Sequence, residues 1–291
     1  MNKKQKKRKT IQELTITDDF MFGAVMSNED NCRELLEMIL GIPIDKVEVI
    51  REKSLIYNPE YKGIRLDAFA KDDKGTRFDV EIQVRSTPIL KRSRYYHSQM
   101  DMEMLLSGID YPELPDSFVI FICCYDPWEK GIYRYTIENS CRECPELDVG
   151  DGVHTIVLNN NGKNPEDISP GLVRFLEFTR KSLAESEDIS DDPYIRQIQK
   201  TIRDIKSSRE MGEKYMKLQE MLKEEWKEGH KEGLKEGLKE GQETGFIKSV
   251  YIQKVLNNTL SIAQAADMLN MTAEEFQELM DSYQELQASL E

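Results

Sequence analysis

Asp67 and Glu81 are the two residues whose type and spacing most directly suggest chemistry. They flank the turn Asp72-Asp73-Lys74-Gly75-Thr76, inside the runs Arg65-Leu66-Asp67-Ala68-Phe69-Ala70-Lys71 and Arg77-Phe78-Asp79-Val80-Glu81-Ile82-Gln83-Val84. Alternating apolar and polar residues around an Asp/Lys/Gly turn are the sequence form of a β-hairpin. With the turn centred on Lys74, each residue pairs with the one equally far beyond it, and Asp67 faces Glu81. Directly opposed side chains share a sheet face with Cβ atoms roughly 4.5–5.5 Å apart. Two carboxylates placed so repel one another and call for a cation. Mg²⁺ suits the pair, because it is held by one or two carboxylates together with water and substrate phosphate; Mn²⁺ is a second candidate.

Alternation along the second run puts Asp79, Glu81 and Gln83 on one face and Val80, Ile82 and Val84 on the other. The apolar face belongs in a core, and the acidic face is expected to line a cleft or meet water. A solvent-exposed hairpin would carry acids in the same way, and a turn shifted by one residue would take Asp67 out of register.

Other elements must position this hairpin. Leu35, Leu36, Ile39 and Leu40 have helical spacing and Gly41 ends that segment. Strands are expected at about 47–57, 64–71 and 77–84, then a long helix from Pro88 to about 107, stopped by Gly108. Ser117 to Tyr125 is a continuous apolar run, the pattern of a strand buried on both faces. Two further strands (133–138 and 154–159) and a helix over 170–185 complete the domain. The expected class is α/β (α+β), a central mixed sheet flanked by helices with a helical C-terminal extension.

Asp67…Glu81-Ile82-Gln83 resembles the core motif of the PD-(D/E)XK nuclease superfamily, with Gln83 at the lysine position. Several further segments resemble the recombination-promoting nuclease/putative transposase family of that superfamily. They are Thr17-Asp18-Asp19-Phe20-Met21-Phe22-Gly23, Lys91-Arg92-Ser93-Arg94-Tyr95-Tyr96, Phe121-Ile122-Cys123-Cys124-Tyr125-Asp126-Pro127-Trp128, Leu158-Asn159-Asn160-Asn161-Gly162-Lys163 and the glycine repeat from Gly229 to Gly245. They cover roughly residues 10 to 245 in the family's order.

The resemblance implies a restriction-endonuclease-like fold and a Mg²⁺-dependent DNA endonuclease working through a metal-activated water. Asp67 and Glu81 would be metal ligands, and Gln83 would orient the water. Gln cannot act as a general base near pH 7, so metal acidification of the water has to serve. Lys91 or Arg94, on the next helix, would supply a cation for the developing phosphate charge. Asp19 is a possible third acid, although Asp18 or Asp19 could equally cap its helix. A second reading, from another class, is a catalytically silent descendant serving as an oligomeric interaction protein; Gln83 and the acidic charge motivate it. RNA cleavage is a third.

The formal net charge is −14, and it is more negative still once Lys3, Lys4, Lys6, Lys7, Arg8 and Lys9 are set aside. Such a balance opposes non-specific DNA binding, which rests on Lys and Arg neutralising phosphates. Arg77, Arg85, Lys91, Arg92 and Arg94 nevertheless cluster beside the candidate site. Five cysteines without a signal-peptide pattern favour reduced thiols and a cytoplasmic protein. Cys141 and Cys144, with His154, lack the fourth ligand of a closed zinc site. With no long apolar run, nothing is expected to span a membrane.

Four regions are expected: a basic disordered arm (1–12), the nuclease-like domain (13–186), a helical extension with the glycine repeat (187–246) and a small helical module (247–291). Ile195, Ile198, Ile202 and Ile205 form a stripe that must bury against the domain or a second chain. Glycine every four residues from Gly229 permits close helix approach, so a homodimer through this region is expected. Ser261-x-x-Gln264 and Thr272-x-x-Glu275 are capping-box patterns. Residues 261–291 hold seven acids and no Lys or Arg, which excludes a DNA-reading helix-turn-helix.

Overall fold

The structure, a computed structural model, describes residues 9–50, 54–55, 64–65, 67–106, 108 and 110–288. Residues 1–8 of the expected basic arm lie outside the described residues, as do parts of the strands expected at 47–57 and 64–71. From Lys9 onward the arm is packed. The Lys9 ammonium pairs with Asp18 at 2.7 Å, its carbonyl accepts from the Tyr215 hydroxyl, and Thr10 and Glu13 form a capping box. The chain divides into two compact units after Tyr215.

The first unit opens with α1 (Asp19–Met26) and α2 (Glu29–Leu40). Asn28 caps α2, and Gly41, at φ 74°, ends it in the left-handed conformation glycine tolerates. Strands β1 (Val47–Ile50), β2 (Ser54–Leu55), β3 (Ile64–Arg65), β4 (Ala68–Asp72) and β5 (Arg77–Gln83) lead to the long helix α3 (Ile89–Leu106). Then come β6 (Ser117–Cys123), β7 (Arg134–Ile137) and β8 (Val153–Asn159). Helices α4 (Pro170–Phe178), α5 (Leu183–Glu187) and α6 (Pro193–Ser207) follow. The helix expected over 170–185 is thus two helices, because Ser182 and Glu185 build a capping box that starts α5 afresh.

Six strands form one mixed sheet in the order β1-β4-β5-β6-β8-β7, with β5, β6 and β8 mutually parallel. β6 sits inside the sheet, as its continuous apolar run requires. The β4–β5 hairpin has the register read from the turn: Ala68 pairs with Val80 and Phe69 with Asp79. Asp72 fixes it by accepting from Lys74 N and Thr76 N (3.0 and 2.8 Å), while Gly75 takes φ 89°.

On one sheet face Val80, Ile82, Ile120 and Ile122 pack with Phe22, Leu35, Phe175 and Ile198 in the main core, under α1, α2, α4 and α6. The isoleucine stripe of α6 is therefore buried in the chain's own core, which removes it from any interface with a second copy. On the other face α3 covers β6 and β8, with Tyr96 and Met100 against Val119, Phe121 and Val157.

Helix α7 (Arg209–Leu256) carries the glycine repeat. In the second unit, α8 (Ile262–Met268) and α9 (Ala273–Ala288) join the end of α7 around Ile252, Ala265, Ala266, Phe276 and Met280. Both expected capping boxes form, at Ser261/Gln264 and Thr272/Glu275. Among the described residues no helix is long and apolar enough to cross a membrane.

Candidate active site

The hairpin brings Asp67 and Glu81 together. One Asp67 carboxylate oxygen accepts from the backbone N–H of Ile82 at 3.3 Å, which docks it beside Glu81. Asp19, at the start of α1, lies close enough that its charge acts on both acids. Gly23, one turn further along α1, explains this approach: a Cβ there would sit 2.9 Å from the Asp67 carbonyl oxygen. The neighbouring Asp18 is occupied otherwise, accepting from Lys9 and from Thr15 N.

The acidic strand face does not meet water. Asp79, Glu81 and Gln83 are all buried, with Asp79 at 0% exposure. Of the two surroundings expected for this face, a cleft or water, burial excludes open water; α3, packed on β6 and β8, reaches the strand with polar groups of its own. Arg92 reaches down from α3: one guanidinium nitrogen donates to Glu81 Oε2 and to the Tyr96 hydroxyl (2.6 Å each), the other to Gln83 Oε1 at 2.5 Å. The guanidinium also lies 5.3 Å and 5.6 Å from the Tyr96 and Phe121 ring centroids. Gln83 in turn donates to the Ile82 carbonyl and to Glu81.

Lys91 and Arg94, the cations singled out in the sequence, are exposed on α3. Arg92 is the one the helix turns inward. Its phase was available as a signal: Ile89, Arg92, Tyr96 and Met100 step by three and four along one helical face.

Burial first, then repulsion from Glu81 and Asp19, pushes the Asp67 pKa up to about 8, against the Ile82 N–H and Arg92. Burial raises Glu81 to about 7, with Arg92 the largest opposing influence. Asp79 is also raised well above the ordinary carboxylate range, by burial and by the charges of Glu81 and Asp67. Glu81 Oε1 and both Asp79 oxygens find no hydrogen-bond partner among the described residues.

A divalent ion fits this donor set. Arg92 already answers Glu81 Oε2, which leaves Glu81 Oε1, without a hydrogen-bond partner among the described residues, and the Asp67 carboxylate to face an ion, and Mg²⁺ needs no more than one or two protein carboxylates. No group of three or more His, Cys, Asp or Glu is arranged for a metal among the described residues, so water and substrate would complete the coordination.

The Asn-rich motif holds the chain that follows β6. Asn159 donates to the Ile132 carbonyl, Asn160 N to the Cys123 carbonyl, and Lys163 N to the Gly131 carbonyl. Gly162 leaves room for the Tyr133 ring, which a Cβ would overlap at 2.2 Å. The Asn-rich turn therefore locks the segment after β6 against the sheet.

A six-stranded mixed sheet flanked by helices is the fold expected of a PD-(D/E)XK protein, and the acidic hairpin with Arg92 turned inward is its candidate site. Comparison with protein families agrees: the family described as PD-(D/E)XK nuclease family transposase matches residues 16–229. The chain belongs to that family. Neither the curated proteins nor the solved structures give a match.

Proposed function

We propose that this protein is a Mg²⁺-dependent DNA endonuclease, with Asp67 and Glu81 as the metal ligands and Asp19 as an accessory acid. The observation that carries the reading is the buried Asp67–Glu81 pair, both raised in pKa, with Glu81 Oε1 without a hydrogen-bond partner among the described residues. A divalent ion bound there would acidify a water and offset charge on the phosphate. Family membership supports DNA as the substrate class.

The chain's own residues divide the remaining work. Arg92 neutralises Glu81 and presents the cation that a lysine supplies in the superfamily motif; it is placed to meet developing phosphate charge. Gln83 holds Arg92 through Oε1 and the strand through Nε2, so it positions both. Lys91 and Arg94, exposed on the same helix, are placed to meet the DNA backbone. Tyr96 fixes the guanidinium from the other side.

Supercoiled plasmid incubated with Mg²⁺, Mn²⁺ or EDTA tests the reading. Nicking or linearisation with either metal ion, lost in EDTA and in Glu81→Ala, is expected. Full activity in Glu81→Ala would remove these residues from the active site. Mg²⁺ binding without cleavage of any DNA would instead favour a silent descendant.

A further inference from the structure

We propose that the cavity outside the carboxyl ends of β5 and β6 takes one unstacked nucleobase of the DNA strand. The inference rests on the nuclease reading above and adds a substrate class: DNA with an unpaired nucleotide beside the scissile phosphate. The cavity measures about 250 Å³ and is lined by Thr87, Pro88, Leu90, Lys91, Tyr125 and Trp128 among others. Parallel strands commonly open their ligand crevice at this end.

Its position ties it to the candidate chemistry. The Thr87 hydroxyl lies 3.4 Å from Gln83 Oε1 and 3.5 Å from an Arg92 guanidinium nitrogen. A strand whose phosphate lies at the acids therefore has its neighbouring nucleotide at the mouth of this cavity. The volume falls below the roughly 300–1,000 Å³ of pockets for drug-sized ligands, which suits one ring system and excludes a base pair.

The lining suits a base. Trp128 and Tyr125 offer aromatic surface, on which any base can stack, and Lys91 stands exposed at the rim to meet the phosphate of the same nucleotide. The tryptophan is held before any ligand arrives. Trp128 N and Gly131 N donate to the two Asp126 carboxylate oxygens (3.3 and 2.7 Å), and the indole packs edge-on against Tyr135 at 4.6 Å. Glu129 and Gly131 complete this turn at φ 56° and 68°. A base must leave its stack to enter, which costs least where it is already unpaired.

The chain has two tryptophans, so a full-length Trp226→Phe protein makes Trp128 the reporter. It is titrated in EDTA with a single-stranded oligonucleotide, its duplex, and single strands carrying one abasic site at successive positions. Expected are saturable quenching by the single strand, weaker quenching by the duplex, and loss of quenching at one abasic position only. Read by the fluorescence anisotropy of a dye-labelled oligonucleotide, Trp128→Ala should weaken single-strand binding on the order of tenfold, with Trp128→Phe largely retaining it. The abasic series needs no pocket variant, so it decides the matter even where Trp128→Ala fails to fold. Indifference to every abasic position, or no quenching by any oligonucleotide, overturns the pocket. Plasmid cleavage is scored separately: cleavage without quenching sinks only this inference, and position-specific quenching without cleavage sinks only the nuclease reading.

Discussion

The two faces of strand β5 are built to opposite rules. Under α1, α2, α4 and α6 the strands present Val80, Ile82, Ile120 and Ile122 to an apolar core. On the α3 side β5 presents Asp79, Glu81 and Gln83 beside the apolar Val119, Phe121 and Val157 of β6 and β8, and a second polar group forms around His97, which bonds Ser117 at 2.8 Å and Thr155 at 3.2 Å, with Ser93 against Thr155. Burial rewards the first face. On the second it costs, wherever a charge is left without a partner. Strand alternation lets a single element, β5, serve both: an apolar core on one side, the acids of the candidate site on the other.

The largest effect that would test this contrast is a pair of substitutions one on each face. Ile122→Ala should lose about 2–5 kcal/mol, the usual cost of truncating a buried isoleucine, read from urea midpoints. Asp79→Asn should lose nothing, or gain, at pH 8, since it removes a carboxylate with no partner among the described residues. A large loss in Asp79→Asn would mean that the acidic face holds the fold as the apolar one does.

The next effect is on metal binding. Mg²⁺ at about a hundredfold its Kd should add roughly 2.7 kcal/mol, a rise in Tm of roughly 5–10 °C in a domain of this size. Asp67→Asn should remove it. An unchanged Tm in the wild-type protein across millimolar Mg²⁺ and Mn²⁺ would count against the site.

Smaller still are two pH dependences of opposite sign in the metal-free protein. Asp67 at about 8 and Glu81 at about 7 lie above their unfolded values of about 4. Their contribution is fully present below about pH 4 and is lost as pH rises through 7 to 8. His97 runs the other way. Burial, aided by His154, lowers it from 6.5 to about 4, so the unfolded chain takes up a proton that the folded one refuses. Stability falls as pH drops from 6.5 to 4, by at most about 1.4 kcal/mol per pH unit. Thermal melts of Asp67→Asn and of His97→Gln should each flatten one limb and leave the other.

What the sequence made legible follows the range of the forces involved. The hairpin register was readable because a local turn, Asp72 to Gly75, dictates it. β6 was readable because an unbroken apolar run has few other homes. Burial of the acidic face was not, because it depends on Arg92 and Tyr96 arriving from α3 to satisfy Glu81. The same blindness passed over Arg92 in favour of Lys91 and Arg94, which sequence distance from the strand end cannot separate. The isoleucine stripe of α6 announced a buried face without naming its cover, and the cover is the chain's own core. The first compact unit, which runs to Tyr215, takes in α6 together with the sheet.

The subtlest break in the comparison falls at Gly23, where the apolar layer touches the acidic site. Alanine is a better helix former than glycine by about 1 kcal/mol, so on propensity alone Gly23→Ala would stabilise α1. The new methyl group would meet the Asp67 carbonyl oxygen at 2.9 Å, a backbone atom that cannot swing aside, so α1 or the start of β4 must shift. The two effects nearly cancel in global stability, and a change within about 1 kcal/mol is expected from urea midpoints. The site feels the shift in full, because Asp19 and Asp67 move relative to Glu81. Gly23→Ala should therefore weaken Mg²⁺-dependent stabilisation while leaving the metal-free melting curve almost unchanged. Unaltered Mg²⁺ affinity would show that α1 only covers the core and that Asp19 takes no part in the site.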